Sequence, residues 1–458
     1  MPKITRLNFF EKLTERLRSA ALPYKFGFVH CHSYLNDWEM DQIKTMLVTK
    51  NEGEKQSVIL EFEDRFSKLV GPGSSSSFAS GRMAFYSLME VLNITKGDEV
   101  ILTAFTCSVM VNAIMKRGAT PVYSDVDRET FGSSAIAIQQ VITRKTKLIV
   151  AQHSFGIPCD IEPIIRLAKE QGIYVVEDCA ISLDSSLNGV KVGNWGDAAI
   201  FSFDHSKPIN TIIGGILYTR DPDIHEKVNR ISRMSPSLSI EHKKNIYNQM
   251  IFEKINYLPN RYPRAELFSK LGRVWRLIWM SKQNIFLDDN NNKPLSNNES
   301  YPYPAKMPAF LALLGTFELN RWAEQKIHRK KLLSNIIGII KKSEYNSYLP
   351  AIYNDPTRKI MPLRFIFSGA LPHEFLNRVS QYIDVNWIWF RQPIVGATDG
   401  IENIGYVSGS CLVSEEICSA IFNLPCNVPD GYEQLLLDCI IDAFGNKNMA
   451  DSSSKCNS

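Results

Sequence analysis

No C-x-x-C pair occurs in this sequence: nine cysteines are scattered over 458 residues and leave an odd one out. That pattern excludes a disulfide framework and a cysteine-rich zinc site, and reduced thiols in a cytoplasm are the expectation. Long apolar runs are missing too, so no segment has the length to span a bilayer. The opening stretch MPKITRLNFFEKLTERLRSA breaks its apolar positions with acids and bases, unlike the uncharged core of a secretory signal. Charge of one sign is scarce: a formal net charge of +4 gives no reason to expect a nucleic-acid partner. No internal repeat is visible. What remains, at 44% hydrophobic and 22% charged, is the composition of an ordinary globular protein long enough for two or three domains.

A regular pattern begins near Ser57. SVILEFEDRFSKLVG carries Leu60, Phe62, Phe66 and Leu69 at helical spacing and stops at Gly71, and the serine-rich GPGSSSSFAS reads as a link. Strand-like EVILTAF, TPVYSDVD, KLIVAQHSF and IYVVEDCA then alternate with helix-like SGRMAFYSLMEVL, SVMVNAIMKRG and IEPIIRLAKEQG. The alternation predicts an α/β fold with a mainly parallel sheet covered by helices on both faces. From about Met234 to Tyr303 the order loosens into a polar, asparagine-rich loop preceded by a basic and aromatic run from Glu266 to Phe286. A long helix is expected from Ala309, followed by a smaller α/β unit in PLRFIFSG, HEFLNRVSQYI and YEQLLLDCIIDAFG. The expected division is an arm over 1–56, a large domain over 57–233, an insertion over 234–303, a linking helix with a small domain over 304–445, and a disordered tail over 446–458.

Ligands of parallel α/β sheets sit beyond the carboxyl ends of the strands. There, His153 closes KLIVAQH, Asp178 closes IYVVED, and AIFSFDHSK ends with Ser202 and Lys207. A lysine amine, a carboxylate and a hydroxyl in one place suit pyridoxal phosphate. The amine bonds the cofactor's carbonyl carbon, and the carboxylate keeps the ring nitrogen protonated. Ser80, Gly81 and Arg82 open a helix whose free N–H groups and dipole favour a phosphate. Each residue also has a plainer reading: a solvated lysine, a capping aspartate, a backbone-bonding serine, a flexible linker before a capped helix. Both sets of readings stand on the residues alone.

In order, SVILEFEDRFSKLVG, SGRMAF, GDEVILTAFTCSVMVNAIMKRGATPVYSDVD, QHSFGIPCDIEPI, VVEDCA, GNWGDAAIFSFDHSK, the glycine pair Gly214-Gly215 and KMPAFLALLGTFELNRW resemble the sugar-aminotransferase (DegT/DnrJ/EryC1/StrS) family of fold-type I pyridoxal-phosphate enzymes. The likeness is dense from Ser57 to Asp221 and thinner to about Phe444. It implies that Lys207 anchors pyridoxal 5'-phosphate and carries the reaction's proton, that Asp178 pairs with the ring nitrogen, and that Ser202 with Gly81 and Arg82 binds phosphate. It implies an amino group moved from an amino acid, glutamate being expected, to a keto sugar joined to a nucleotide, in polysaccharide or glycoside assembly. A homodimer is expected with it.

Some positions depart from the family's pattern. Cys107 stands where an aromatic ring often stacks on the cofactor, with Phe105 two residues before it. Ile181 replaces the glutamine or histidine expected three positions after the aspartate. Pro304 replaces an asparagine expected to reach a partner subunit's phosphate, a loss that Arg82 is expected to offset. Two rival readings are a sugar dehydratase on the same cofactor and a non-catalytic regulatory or membrane-associated protein. Related dehydratases carry histidine at the lysine position, whereas here the nearest, His205, lies two residues earlier and is expected as a turn residue or a group behind the site. The Glu266–Phe286 run is expected to pack as a helix or substrate lid rather than to touch an anionic membrane.

Overall fold

The structure, a computed structural model, describes residues 22–29, 31–265, 301–397 and 400–444. The expectations for the basic and aromatic run, the asparagine-rich loop and the tail lie outside these residues.

Among the described residues, two helices, α1 (Asp37–Val48) and α2 (Glu52–Val70), precede the sheet. Helix α2 starts five residues before the expected Ser57 because Asn51 caps it, accepting the Glu54 N–H at 3.2 Å. The main sheet holds seven strands: β1 (Ser74–Phe78), β2 (Glu99–Thr103), β3 (Thr120–Ser124), β4 (Thr146–Gln152), β5 (Tyr174–Asp178), β6 (Ala198–Ser202) and β7 (Gly215–Thr219). Their order is β1-β7-β6-β5-β4-β2-β3, and only β7 runs against the rest. Helices α3 (Gly81–Val91), α4 (Ser108–Lys116), α5 (Ala135–Val141), α6 (Ile161–Gln171) and α7 (Pro222–Met234) cross between or follow these strands. The strands read from β-branched runs are therefore present, and parallel pairing places the carboxyl ends of β4, β5 and β6 side by side.

One expectation needs correcting. The serine-rich stretch is not a link but an edge strand, β1, whose last four residues are buried. Neighbours meet two of its serines: Ser75 accepts the Ser67 hydroxyl at 2.8 Å, Ser77 donates from its N–H and hydroxyl to Glu63 at 2.8 and 2.7 Å, and Ser232 donates to the Ser77 carbonyl at 2.7 Å. Hydrogen-bonded serines meet burial without apolar side chains. The 234–303 segment also contains a 17-residue helix, α8 (Ile240–Asn256), capped by Ser239.

Helix α9 (Ala309–Lys341) joins two cores. Its first half buries Phe310, Leu311 and Leu314 in the main-sheet core, and its second half buries Leu332, Ile336 and Ile340 in a smaller one. The smaller core also holds Phe26 and Phe28, helix α10 (His373–Ser380), the antiparallel pair β8 (Arg364–Ile366) and β9 (Asn423–Pro425), and helix α12 (Glu433–Ala443), with α11 (Leu412–Ala420) leading into β9. A third apolar cluster sits between the two, where Phe105, Phe155 and Ile181 meet Phe390 and Ile366. Phe105 and Phe390 stack at 4.1 Å. Beside them, Thr106–Cys107 pairs in parallel with Ile394–Val395. These contacts close the smaller unit over the carboxyl ends of the sheet.

Candidate active site

Beyond those strand ends lies a cavity of about 360 Å³, within the usual range for a small-molecule site. Asp178, Ser202, Lys207, Gly81, Arg82 and Cys107 all line it. Residues more than a hundred positions apart thus line one cavity, because each sits at a strand end, in the turn that follows it, or at the start of a helix.

The end of β6 and the start of α3 are pressed together. A Cβ added to Gly81 would stand 3.3 Å from the Phe201 carbonyl oxygen and 3.4 Å from the Ser202 Cβ, and one added to Gly215 would stand 2.2 Å from the Gly81 nitrogen. The Gly215 contact leaves no room for a side chain, while the Gly81 contact is tight. Ser80 caps the helix, taking the Met83 N–H at 3.4 Å, and its first turn holds no acid. The helix N-terminus, Ser202 and Arg82 thus border the same cavity, an arrangement that can take an anion. Pro304 lies beside it: the Ala305 carbonyl accepts the Ala79 N–H at 2.9 Å, and the Tyr303 hydroxyl bonds the Arg82 carbonyl at 3.5 Å.

Lys207 sits in a tight turn, its N–H donating to the Asp204 carbonyl at 2.9 Å. The following loop is pinned by His32 on the Asn210 carbonyl at 2.8 Å and by Ile212 held at a φ of 69°, a strained value for a β-branched residue. The Lys207 Nζ lies 4.4 Å from the centre of the Trp389 ring. Burial pushes its amine below the ordinary lysine range and nearby Arg364 adds to this, while Asp204, Cys107 and Asp178 pull the other way. Asp178 accepts the Ala180 N–H on Oδ1 at 3.0 Å, and its other oxygen has no hydrogen bond among the described residues. Burial raises its carboxyl, against the Ala180 N–H, Lys207 and His153. Burial also raises the Cys107 thiol, which disfavours a reactive thiolate there.

His153 is not at the cavity. Side chains alternate along a strand, so Gln152 and Asp178 face the cavity while His153 and Glu177 point behind it. There His153 meets Glu177 at 3.1 Å and takes the Cys159 N–H at 3.1 Å, and Glu177 receives the N–H groups of Gly193, Trp195 and Gly196 at 2.7 to 2.9 Å. Cys179 lies close to His153 and Glu177 there. His205 sits in the expected turn, between Asp204 and Lys207, and it also lines the cavity. Its ring lies 3.3 Å from Glu253 of α8 and 3.7 Å from Asp204. Burial opposes its charge, but the two carboxylates prevail and lift it to about 8.

The aromatic wall comes from the smaller unit: Trp387, Trp389 and Phe390 line the cavity, whereas Phe105 is buried beneath it. Arg364 braces both tryptophans, its guanidinium 3.7 Å from the Trp389 ring and 4.1 Å from Phe28, with Nη1 donating to the Trp387 carbonyl at 2.5 Å. Strand and helix patterns gave no warning of this wall; the density of aromatics in VNWIWF was the available signal. Ile181 also lines the cavity and presents only apolar surface.

Residues 37–434 match the model of the DegT/DnrJ/EryC1/StrS aminotransferase family, and the chain belongs to that family. It is 39% identical over 173 residues to GDP-perosamine synthase of Escherichia coli O157:H7, covering 38% of this chain and 48% of the relative. It is 33% identical over 222 residues to the UDP-N-acetyl-3-dehydro-alpha-D-glucosamine 3-aminotransferase of Acidithiobacillus ferrooxidans, covering 48% and 60%. The chain thus spans about half the length of the curated relatives it matches. Among solved structures, the aminotransferase from Psychrobacter cryohalolentis superposes with a TM-score of 0.66 at 20% identity over 90% of this chain and 98% of that one. A Streptococcus pneumoniae protein solved in its PLP form superposes at 0.66 with 19% identity over 92% and 99%. These likenesses establish the fold-type I architecture.

Proposed function

We propose that the chain is a pyridoxal-phosphate-dependent aminotransferase, moving an amino group from an amino acid to a nucleotide-linked keto sugar. The observation that carries this is the convergence of Lys207, Asp178, Ser202 and the N-terminus of α3 on one cavity in a chain of this family. The residues present fit the cofactor: the first turn of α3 borders the cavity through Gly81 and Arg82, and Asp178 keeps an oxygen without a hydrogen bond among the described residues.

When bound, pyridoxal phosphate supplies a carbonyl carbon that bonds amines and a protonated ring that draws electrons from them. The phosphate would be held by the first turn of α3, Ser202 and Arg82. Asp178 would hold the proton at the ring nitrogen, and that cation would in turn restore charge to a carboxyl that burial disfavours. Lys207, its amine lowered by burial, is the nucleophile that holds the cofactor. The same amine, once freed by the donor, would be placed to take the donor's α-proton and to give a proton to the cofactor carbon that had bonded it. Trp389 and Trp387 shield this transfer from water.

The relatives named for nucleotide sugars support the acceptor class, and the Bacillus subtilis relative named for spore coat polysaccharide biosynthesis supports a role in glycan assembly. The reading includes glutamate as donor, a cytoplasmic location and a homodimer, the last checked by light scattering. No helix among the described residues is long and apolar enough to cross a membrane. It also includes a functional division in which 57–233 binds cofactor and 304–445 closes over it. Borohydride reduction of the cofactor-loaded protein followed by peptide mapping should label Lys207, and glutamate should release its keto acid. Label on another lysine would overturn the site, and a sugar losing a hydroxyl without keto-acid release would favour a dehydratase.

A further inference from the structure

Gln152 is the last residue of β4, 4% exposed, and it lines the cavity beside Asp178, its register partner on β5. Its amide nitrogen donates to the Phe105 carbonyl at 2.6 Å and to the Ser154 hydroxyl at 3.0 Å. A backbone carbonyl only accepts, so the nitrogen must face Phe105, and both of its hydrogens are used. The side-chain oxygen, Oε1, is then the polar atom left for the cavity, with no partner among the described residues. The other wall position near Asp178, Ile181, is packed with Phe105 and Phe390 and offers no polar atom at all.

The cofactor's chemistry says what this oxygen meets. In pyridoxal phosphate the ring nitrogen lies opposite the carbon that bonds the lysine, with the phosphate arm on one side of that axis and the ring hydroxyl on the other. In the sheet, β6 and β4 flank β5 on opposite sides. With the phosphate at α3 and Ser202 of β6, and the nitrogen at Asp178 of β5, the hydroxyl falls on the β4 side, where Gln152 stands. We infer that Gln152 Oε1 accepts a hydrogen bond from the cofactor's ring hydroxyl and so favours the form in which that oxygen keeps its proton. An amide free to turn its nitrogen inward would favour the ionised oxygen; here Phe105 and Ser154 hold the nitrogen away. The inference rests on the proposed cofactor site.

The test is the absorption spectrum of the cofactor-loaded protein, since the protonated form absorbs at shorter wavelength than the ionised one. Gln152→Leu should shift the ratio of the two bands toward the longer wavelength by about two- to tenfold, the worth of one hydrogen bond. Ile181→Gln, which adds an amide free to donate, should shift it the same way with Gln152 in place, and it serves as the test should Gln152→Leu fail to fold. Gln152→Glu should move the ratio toward the shorter wavelength. Unchanged band ratios in the folded Gln152→Leu and Ile181→Gln variants would overturn the inference while leaving the cofactor site intact. A wild-type protein that takes up no cofactor and yields no reduced lysine would overturn the site reading and the inference together.

Discussion

Asp178 and His205 are both partly enclosed, yet their surroundings act on them in opposite ways. Asp178 has one oxygen committed to Ala180 and burial working against its charge. On the proposed reading, Asp178→Asn should keep the bound cofactor and the fold but lower turnover about a hundredfold or more, measured as keto-acid release, because the ring nitrogen would lose the group proposed to keep it protonated. His205 is charged because Asp204 and Glu253 outweigh burial. Its folded value of about 8 lies above the unfolded value of 6.5, so its contribution is fully present below about pH 6.5 and lost as pH rises through about 8. Glu253→Gln should thus lower the urea midpoint more at pH 6 than at pH 9, and a proton resonance titration should show the His205 midpoint falling. An equal loss at both pH values would assign Glu253 to packing alone.

At the scale of elements, the contact between β7, β6 and α3 carries the most consequence. Strand β7 alone is reversed in the sheet, and it brings Gly215 against the first turn of α3. Gly215→Ala places a methyl 2.2 Å from the Gly81 nitrogen, and backbone cannot yield as a flexible side chain does. We expect a loss of about 1–3 kcal/mol in stability, the usual cost of overpacking, and a weakening of cofactor affinity of at least about tenfold because the turn proposed to hold the phosphate would shift. Calorimetry and cofactor titration separate the two. The buried segment between the sheet and the small unit offers a second check. The Tyr262 hydroxyl donates to Asp384 at 2.9 Å, joining the 234–303 segment to the loop before Trp387 and Trp389. Asp384 is 1% exposed, so Tyr262→Phe should cost about 1–2 kcal/mol by chemical denaturation.

For the whole molecule, the sheet's parallel core was legible because β-branched runs alternating with amphipathic helices admit few arrangements. The residues at strand ends followed from that arrangement, since Asp178 and Ser202 close β5 and β6 and Lys207 follows in the next turn. Period-two alternation could also have separated Gln152 from His153, had the face of Asp178 been followed one strand across. What stayed illegible depends on contacts between distant segments. Ser74–Phe78 lacks the apolar signature of a strand and is held as one by Glu63, Ser67 and Ser232, each brought in by another element. The tryptophan wall reaches Lys207 only because α9 carries the small unit over the sheet, and Glu253 reaches His205 only because α8 packs beneath the loop. Local periodicity and turn chemistry therefore determined the order of elements and the lysine, aspartate and serine at their ends. The tertiary structure alone decided which aromatics, carboxylates and amides surround them, because hydrogen-bond partners and packing faces are chosen by three-dimensional closure rather than by neighbours in sequence.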